Sequence, residues 1–590
     1  MTEMPPVQLS RLFTSNDENT TNYRRQIKSN LINAAFEEIG SQSIELLQIP
    51  SKEDLNNASH TNPLDWDPIA TFSQSPTQSV ESFYEQKLVL KSCVETIDSY
   101  QNLHSKYTKN IGIRGSPGGG KTWCMMNILL YAISKGHQVI TTAMMCKRAL
   151  QLGGIHIHQL FKLPINAENT SSAHRQAKLA IISLLWNPEK LDFLRSVNII
   201  FFDEMGQVSD VTLAMIDIVL RKVRNSNVYM GGVLIIFSMD HTQIQPLTGR
   251  PFLTSCHIVP CFRTVALELS VRASTDDAFV RIQQIARMSY RKLNEHPHLV
   301  DEFISLCSNS FSFATSWTDP RILPSTMRLY SKKVPAKEAS CEFIANVRRH
   351  LTNNEYIEKK SEDIEKSIYS HQDWIVATEN TSVQLEQKVK EPNILLFFKG
   401  AVFEMTFNVV GKFSNTQTGI LFDLPGQEDL TNWRKIKILK TPLGFKETYY
   451  DPGITKEQYL ERGFVEIEVG PVPERTQYLP GRKQAKRKQY GLKHHVTSTI
   501  HAAMGDTLSN MATEISLLNS NFNMWDKGQM IVILSRTKTA KDTIFVGDKN
   551  DTLAALKNLL TRKTQWTDFM EDVLDLITIK NTDDPTTPSP

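Results

Sequence analysis

Eight residues, GSPGGGKT at 115–122, constrain this chain more than any other stretch of it. They close the apolar run NIGIRG, which has strand character, and lead directly into WCMMNILLYAI, an apolar run of helical length. A glycine-rich turn between a strand and a helix folds its N–H groups into a concave nest, and the helix adds its positive end at the same point. Such a nest demands an anion, and the pattern GxxxxGK[ST] fits a phosphate chain. The sequence therefore predicts a parallel α/β sheet in which Gly115, Ser116, Pro117, Gly118, Gly119 and Gly120 wrap phosphates. Lys121 would reach the β and γ phosphates of ATP, and the Thr122 hydroxyl would ligate Mg2+.

A second element supports the first. In VNIIFFDE a buried-strand run ends on Asp203 and Glu204. At the carboxyl edge of a parallel sheet, Asp203 would face the metal and Glu204 would polarise an attacking water as general base. An acidic pair after a strand is ordinarily a solvated turn, and the neighbouring phosphate loop reverses that reading.

At 590 residues the chain is too long for one hydrophobic core, so several units are expected. Its 40% apolar and 22% charged residues are those of a folded globular protein, and the net charge of +3 does not by itself indicate a nucleic-acid partner. No CxxC pair occurs among the seven cysteines, so neither a zinc site nor a disulfide framework is expected. No apolar run reaches the length of a membrane span, and no secretory signal is evident.

Texture divides the chain further. Residues 1–78 are polar and read as a partly disordered appendage with one amphipathic stretch, YRRQIKSNLINAAFEEIG. From 79 to 265, NIGIRG, HQVITTA, VNIIFFDE and GVLIIFSMD read as buried strands between helical patterns. Residues 266–392 read as a helical region opening a second α/β domain, and 393–474 as an inserted antiparallel β module. The second domain resumes over 475–550, with MIVILSRTK as a buried strand, and 551–590 is a helix plus a disordered tail.

Taken in order, these motifs resemble superfamily 1B helicases of the Pif-one (petite integration frequency) and RecD-like type, over about 83–548. Gln86 stands where that family reads adenine. TTAMMCKRALQLGGIHIHQLF is similar to a segment bordering DNA, where His158 matches and His156 replaces a Thr. GGVLIIFSMDHTQIQP puts Gln243 at a γ-phosphate sensor, and FRTVALELSVRASTDDAF offers Arg272 as the next motif's arginine. RKQYGLKHHVTSTIHAAMGDTL aligns Tyr490, Thr499 and His501 with the family, but Ala502, Ala503 and Met504 depart from it. SRTK supplies Arg536 as an arginine finger reaching a nucleotide held by the first domain.

The resemblance implies two RecA-like P-loop domains, parallel sheets flanked by helices, with an inserted SH3-like β module. It implies an ATP- and Mg2+-dependent DNA helicase that moves 5′ to 3′ as a monomer on single-stranded and tailed duplex DNA. It also implies work in DNA repair, recombination or telomere maintenance, in the nucleus or another DNA-containing compartment. The basic segment GRKQAKRKQYGLKHH, with Arg487, Lys488 and Tyr490, is the expected nucleic-acid track. An RNA helicase of superfamily 1, or an ATP-binding clamp on nucleic acid that does not unwind, are the alternatives.

Overall fold

The computed structural model describes residues 17–73, 84–100, 110–164, 172–268, 273, 275–323, 326–368, 373–407, 409, 412–413, 415–442, 450–472, 474–563 and 566–579. The chain divides into two compact units. The first draws its described residues from Met1–Ser274, Arg287–Glu295 and Lys563–Pro590, the second from Thr275–Ala286 and His296–Arg562.

In the first unit, β1 (Asn110–Gly115), β2 (Val139–Ala143), β3 (Ile199–Asp203), β4 (Leu234–Met239) and β5 (Phe262–Leu267) form one parallel sheet of order β2-β3-β4-β1-β5. Strands β2, β3 and β4 are buried along their whole length, as expected for a sheet covered on both faces. Pairing of Ala143 with Asp203 and of Arg114 with Met239 brings the ends of β1, β3 and β4 to one sheet edge.

Residues 17–73 are not an appendage. Helix α1 (Asp17–Ile39) buries Ile27, Leu31, Ile32, Ala35 and Ile39 in the same core as the sheet. Its backbone approaches Gly153 so closely that a Cβ there would lie 2.4 Å from the Asn30 carbonyl. Trp66 is buried as well, donating from Nε1 to the Leu47 carbonyl at 3.0 Å. The polar composition of 1–78 misled because the apolar residues that dock α1 occupy one stripe of an otherwise polar helix. At the other end, helix Thr567–Ile577 also joins this core through Met570, Val573, Leu574 and Ile577, and Ile579 N–H donates to Thr264 at 2.8 Å. The expected tail beyond 579 lies outside the described residues.

The second unit holds another parallel sheet, β19-β7-β20-β21-β6, from β6 (Ser312–Ala314), β7 (Met327–Tyr330), β19 (Thr497–Thr499), β20 (Met511–Glu514) and β21 (Thr543–Val546). Between β7 and β19 the described residues make antiparallel pairs only. They involve β8 (Tyr356–Lys360), β9 (Glu362–Ser367), β10 (Ile375–Val376), β11 (Ile394–Phe398), β12 (Val402–Met405), β13 (Thr418–Ile420), β14 (Ile436–Lys440), β15 (Val465–Val469), β16 (Gln477–Leu479), β17 (Lys483–Lys488) and β18 (Leu492–His494).

These strands make the sheets β11-β8, β10-β9-β17-β16 and β15-β14-β13-β12-β18. The β region therefore extends on both sides of the expected 393–474, because the polar strands β8 and β9 find their partners in β11 and β17. MIVILSRTK is another correction: Lys527–Ile533 is a helix, started by Asp526, whose side chain accepts the Gly528 N–H at 2.5 Å. A short apolar run does not by itself distinguish a strand from a buried helix. No helix among the described residues is long and apolar enough to cross a membrane.

Candidate active site

The loop after β1 leads into α3 (Lys121–Ser134), and its backbone makes the nest. Gly118 and Gly120 have φ of 75° and 88°, a region that side-chain-bearing residues avoid, so the turn needs glycine there. The loop is pinned by Ser116, whose N–H donates to Leu267 O and whose hydroxyl donates to Glu268 O, each at 3.0 Å. Helix α2 (Tyr84–Tyr100) carries Gln86, buried, whose Nε2 donates to Gly119 O at 3.3 Å. Gln86 therefore lies against the loop, as its position in the sequence predicts.

Lys121 is buried and curls back, with Nζ donating to Gly115 O and Ser116 O at 2.9 Å each. Burial pushes its ammonium below the ordinary lysine value, while Asp240, Glu204 and Asp203 act the other way. Asp240, at the end of β4, accepts from Thr242 N–H at 3.0 Å, from Thr242 Oγ1 at 2.6 Å and from Arg287 at 3.3 Å. Burial opposes ionisation of Asp240, but Arg287 and Lys121 hold its carboxyl well below the ordinary range. Gln243 is buried beside it, donating to Asp240 Oδ2 at 3.0 Å, with its own Oε1 enclosed and lacking a hydrogen-bond partner.

Asp203 ends β3 with both carboxylate oxygens engaged. Ser238 Oγ donates to Oδ1 and Arg148 Nε to Oδ2, each at 2.5 Å. Arg148 Nη2 also donates to Thr122 Oγ1 at 2.6 Å. Glu204 follows in the left-handed region, φ 51° and ψ 48°, and its N–H donates to Ser238 Oγ at 3.1 Å. Thr122 and Asp203, the expected metal ligands, are thus brought to one cation, and their hydroxyl and carboxylate oxygens suit a hard ion such as Mg2+. Among the described residues no group of three or more His, Cys, Asp and Glu could hold a metal.

Sequence reasoning missed Arg148, Ser238, Asp240 and Arg287 as members of this cluster. Asp240 had a signal, since GVLIIFSMD ends on a carboxylate just as VNIIFFDE does. Arg148 had none, its partner lying 55 positions away. Arg272 lies outside the described residues.

The expected nucleic-acid residues divide. Two are corrected. Arg487 is buried, with two 2.8 Å hydrogen bonds to Asp363, an ion pair with Glu386 and a 3.0 Å bond to Glu391 O. Tyr490 is fully buried, packed on Phe397 and Trp433, and its hydroxyl donates to Arg434 O at 2.7 Å. Neither offers a surface to a strand, because the register of β17 on β9 sets Arg487 opposite Asp363.

Lys488 is half-buried, 3.5 Å from Glu362 and above the Trp433 ring. His158 stacks on His156 at 5.5 Å in the first unit. In the second, Thr499 Oγ1 accepts the Ala502 N–H at 3.3 Å and His501 stacks on the exposed Trp525 at 5.7 Å. Trp525 was not legible beforehand. Arg536 is also buried in its own unit. It donates to Val532 O at 3.0 Å, Ala503 O at 3.3 Å, Asp506 O at 2.9 Å and Ser535 Oγ at 2.8 Å.

A phosphate nest at the edge of one parallel sheet, with a second parallel sheet in the same chain, defines a P-loop protein with two RecA-like domains. A model of the PIF1-like helicase family matches residues 83–259 of the chain.

The ATP-dependent DNA helicase PIF6 of Trypanosoma brucei brucei is 24% identical over 452 residues, covering 73% of this chain and 50% of the relative. The chain thus spans half the length of that relative. The ATP-dependent DNA helicase Pif1 of Bdellovibrio bacteriovorus is 22% identical over 450 residues, covering 74% and 84%. In fold, the chain is similar to the crystal structure of Pif1 helicase from Candida albicans, with a TM-score of 0.54, 18% identity and coverage of 83% and 98%. It is also similar to Bacteroides Pif1 in complex with ADP-AlF3 and ssDNA, with a TM-score of 0.51, 17% identity and coverage of 81% and 96%.

Proposed function

We propose that the chain is an ATP-driven DNA helicase or translocase that moves 5′ to 3′ along single-stranded DNA and opens tailed duplexes. The observation that carries this reading is the gathering of Lys121, Thr122, Asp203, Asp240 and Gln243 at one sheet edge beside the nest. The relatives that are ATP-dependent DNA helicases, and the similar Bacteroides Pif1 in complex with ADP-AlF3 and ssDNA, support the substrate class.

In this reading Gln86 recognises adenine and the 115–120 backbone wraps the phosphates. Lys121 leaves the Gly115 and Ser116 carbonyls for the β and γ oxygens. Thr122 and Asp203 hold Mg2+, which when bound neutralises phosphate charge. Glu204 orients the water, Gln243 senses the γ phosphate by turning its Nε2 donor from Asp240 to a phosphate oxygen, and Arg272 and Arg536 stabilise the transferring group. For Arg536 this requires exchanging its bonds to Ala503 and Asp506 for phosphate. His158, Lys488, Thr499 and His501 contact the strand, with the β15-β14-β13-β12-β18 sheet as the SH3-like module.

An ATP-binding clamp without unwinding is the second reading, favoured by Ala502 and Met504 and by the internal neutralisation of the basic run. Strand displacement on 5′- and 3′-tailed duplexes, run beside ATP turnover with single-stranded DNA or RNA, tests both. Displacement from the 5′ tail that disappears in Lys121→Ala is expected. Displacement that survives this substitution, or stimulation by RNA alone, overturns the proposal, and nucleotide-dependent binding without displacement selects the clamp.

A further inference from the structure

Helix α4 (Cys146–Gln151) places Arg148, 7% exposed, within reach of both oxygens that the proposed metal site would use. Its Nη2 is 2.6 Å from Thr122 Oγ1 and its Nε 2.5 Å from Asp203 Oδ2. The remaining polar contact, Nη1 to Gln151 Oε1 at 3.4 Å, is long. The guanidinium is therefore fastened mainly to the metal-ligand pair. Burial works against its charge, but Asp203, Glu38 of α1 and Glu204 all favour it, so the group remains a cation.

A guanidinium and a divalent ion compete for these oxygens. Each needs the same Thr122 and Asp203 oxygens, and two cations in one buried seat repel. Thr122 must also turn its hydroxyl lone pair from Arg148 to the metal.

We infer that Arg148 is a built-in counter-cation of the magnesium seat, so that divalent metal binds only when Arg148 withdraws from Thr122 and Asp203. The inference rests on reading 115–122 as a nucleotide site. Glu38 and Glu204 are the other carboxylates acting on the guanidinium. A site competent only when Arg148 is out binds metal more weakly by the fraction of time it is out. An open fraction of about one in ten raises the half-saturating metal concentration about ten-fold.

The test is a Mg2+ titration of the full chain with a fluorescent ADP analogue, started in EDTA, with Mn2+ followed by electron paramagnetic resonance as a second readout. Arg148→Gln should lower the half-saturating Mg2+ about ten-fold. Arg148→Lys keeps the charge but loses the planar fork that spans two acceptors, and it should fall between Arg148→Gln and the unaltered protein.

Circular dichroism establishes that each variant is folded. If the glutamine variant is not, the lysine variant carries the test, and a metal curve no tighter than that of the unaltered protein overturns the inference. A folded Arg148→Gln with an unchanged or weakened metal curve overturns it equally. Absence of nucleotide binding in the unaltered protein removes the nucleotide reading itself. Saturable nucleotide binding with an unshifted metal curve removes only the role given to Arg148.

Discussion

Strand β17 carries four cations in six residues and the 115–122 loop only one in eight, yet the loop is the region arranged around an external anion. Along β17, Lys483 meets Glu365 at 3.0 Å, Arg487 meets Asp363 at 2.8 Å and Lys488 meets Glu362 at 3.5 Å, since β9 brings acidic side chains alongside. In the loop, Lys121 hydrogen-bonds to carbonyls that it can exchange for phosphate, with Asp240, Glu204 and Asp203 acting on its charge from nearby. Density of charge therefore says little about binding. What matters is whether the fold has already closed the cation directly onto a carboxylate.

Breaking the β17 side should have the largest consequence. Arg487→Ala leaves Asp363 buried without its partner and should destabilise the second unit by about 3–5 kcal/mol in denaturant melts, well beyond any effect on DNA affinity. A loss of DNA binding with unchanged stability would restore Arg487 to the interface. On the loop side, Lys121→Ala should reduce ATP turnover by about a hundred-fold or more, with far-ultraviolet circular dichroism unchanged.

Acid sharpens the same contrast. Burial opposes ionisation of Glu404, yet Lys493 and His495 hold its pKa down to about 2 against an ordinary 4.5. A carboxylate depressed on folding stabilises above its unfolded value, and that stability is lost as pH falls from about 4.5 toward 2. Glu404→Gln should cost about 2 kcal/mol at neutral pH and flatten this acid limb of the melting curve. Tyr490→Phe, which loses only the bond to Arg434 O, should cost about 1 kcal/mol and leave single-stranded DNA affinity unaltered.

The same distinction explains what could be read in advance. The nest, β1 through β4 and the Asp203 and Gln243 positions were legible because each is written in consecutive residues. Glycines at fixed offsets set a backbone turn, and apolar runs ending on carboxylates set a sheet edge. Arg487 and Tyr490 were misassigned because their partners, Asp363 and Arg434, are far away in sequence, and motif alignment records position but not neighbour. Arg148 escaped for the same reason, and α1 because its apolar stripe is diluted by polar residues.

Helix Thr567–Ile577 closes on β5, more than three hundred positions upstream by the Thr264–Thr578 pairing. A ribosome delivering this polypeptide exposes the β5 edge of the first unit throughout translation of the second. The first unit is begun early but sealed last, so its nascent form is an open-edged sheet that pairs readily with stray strands.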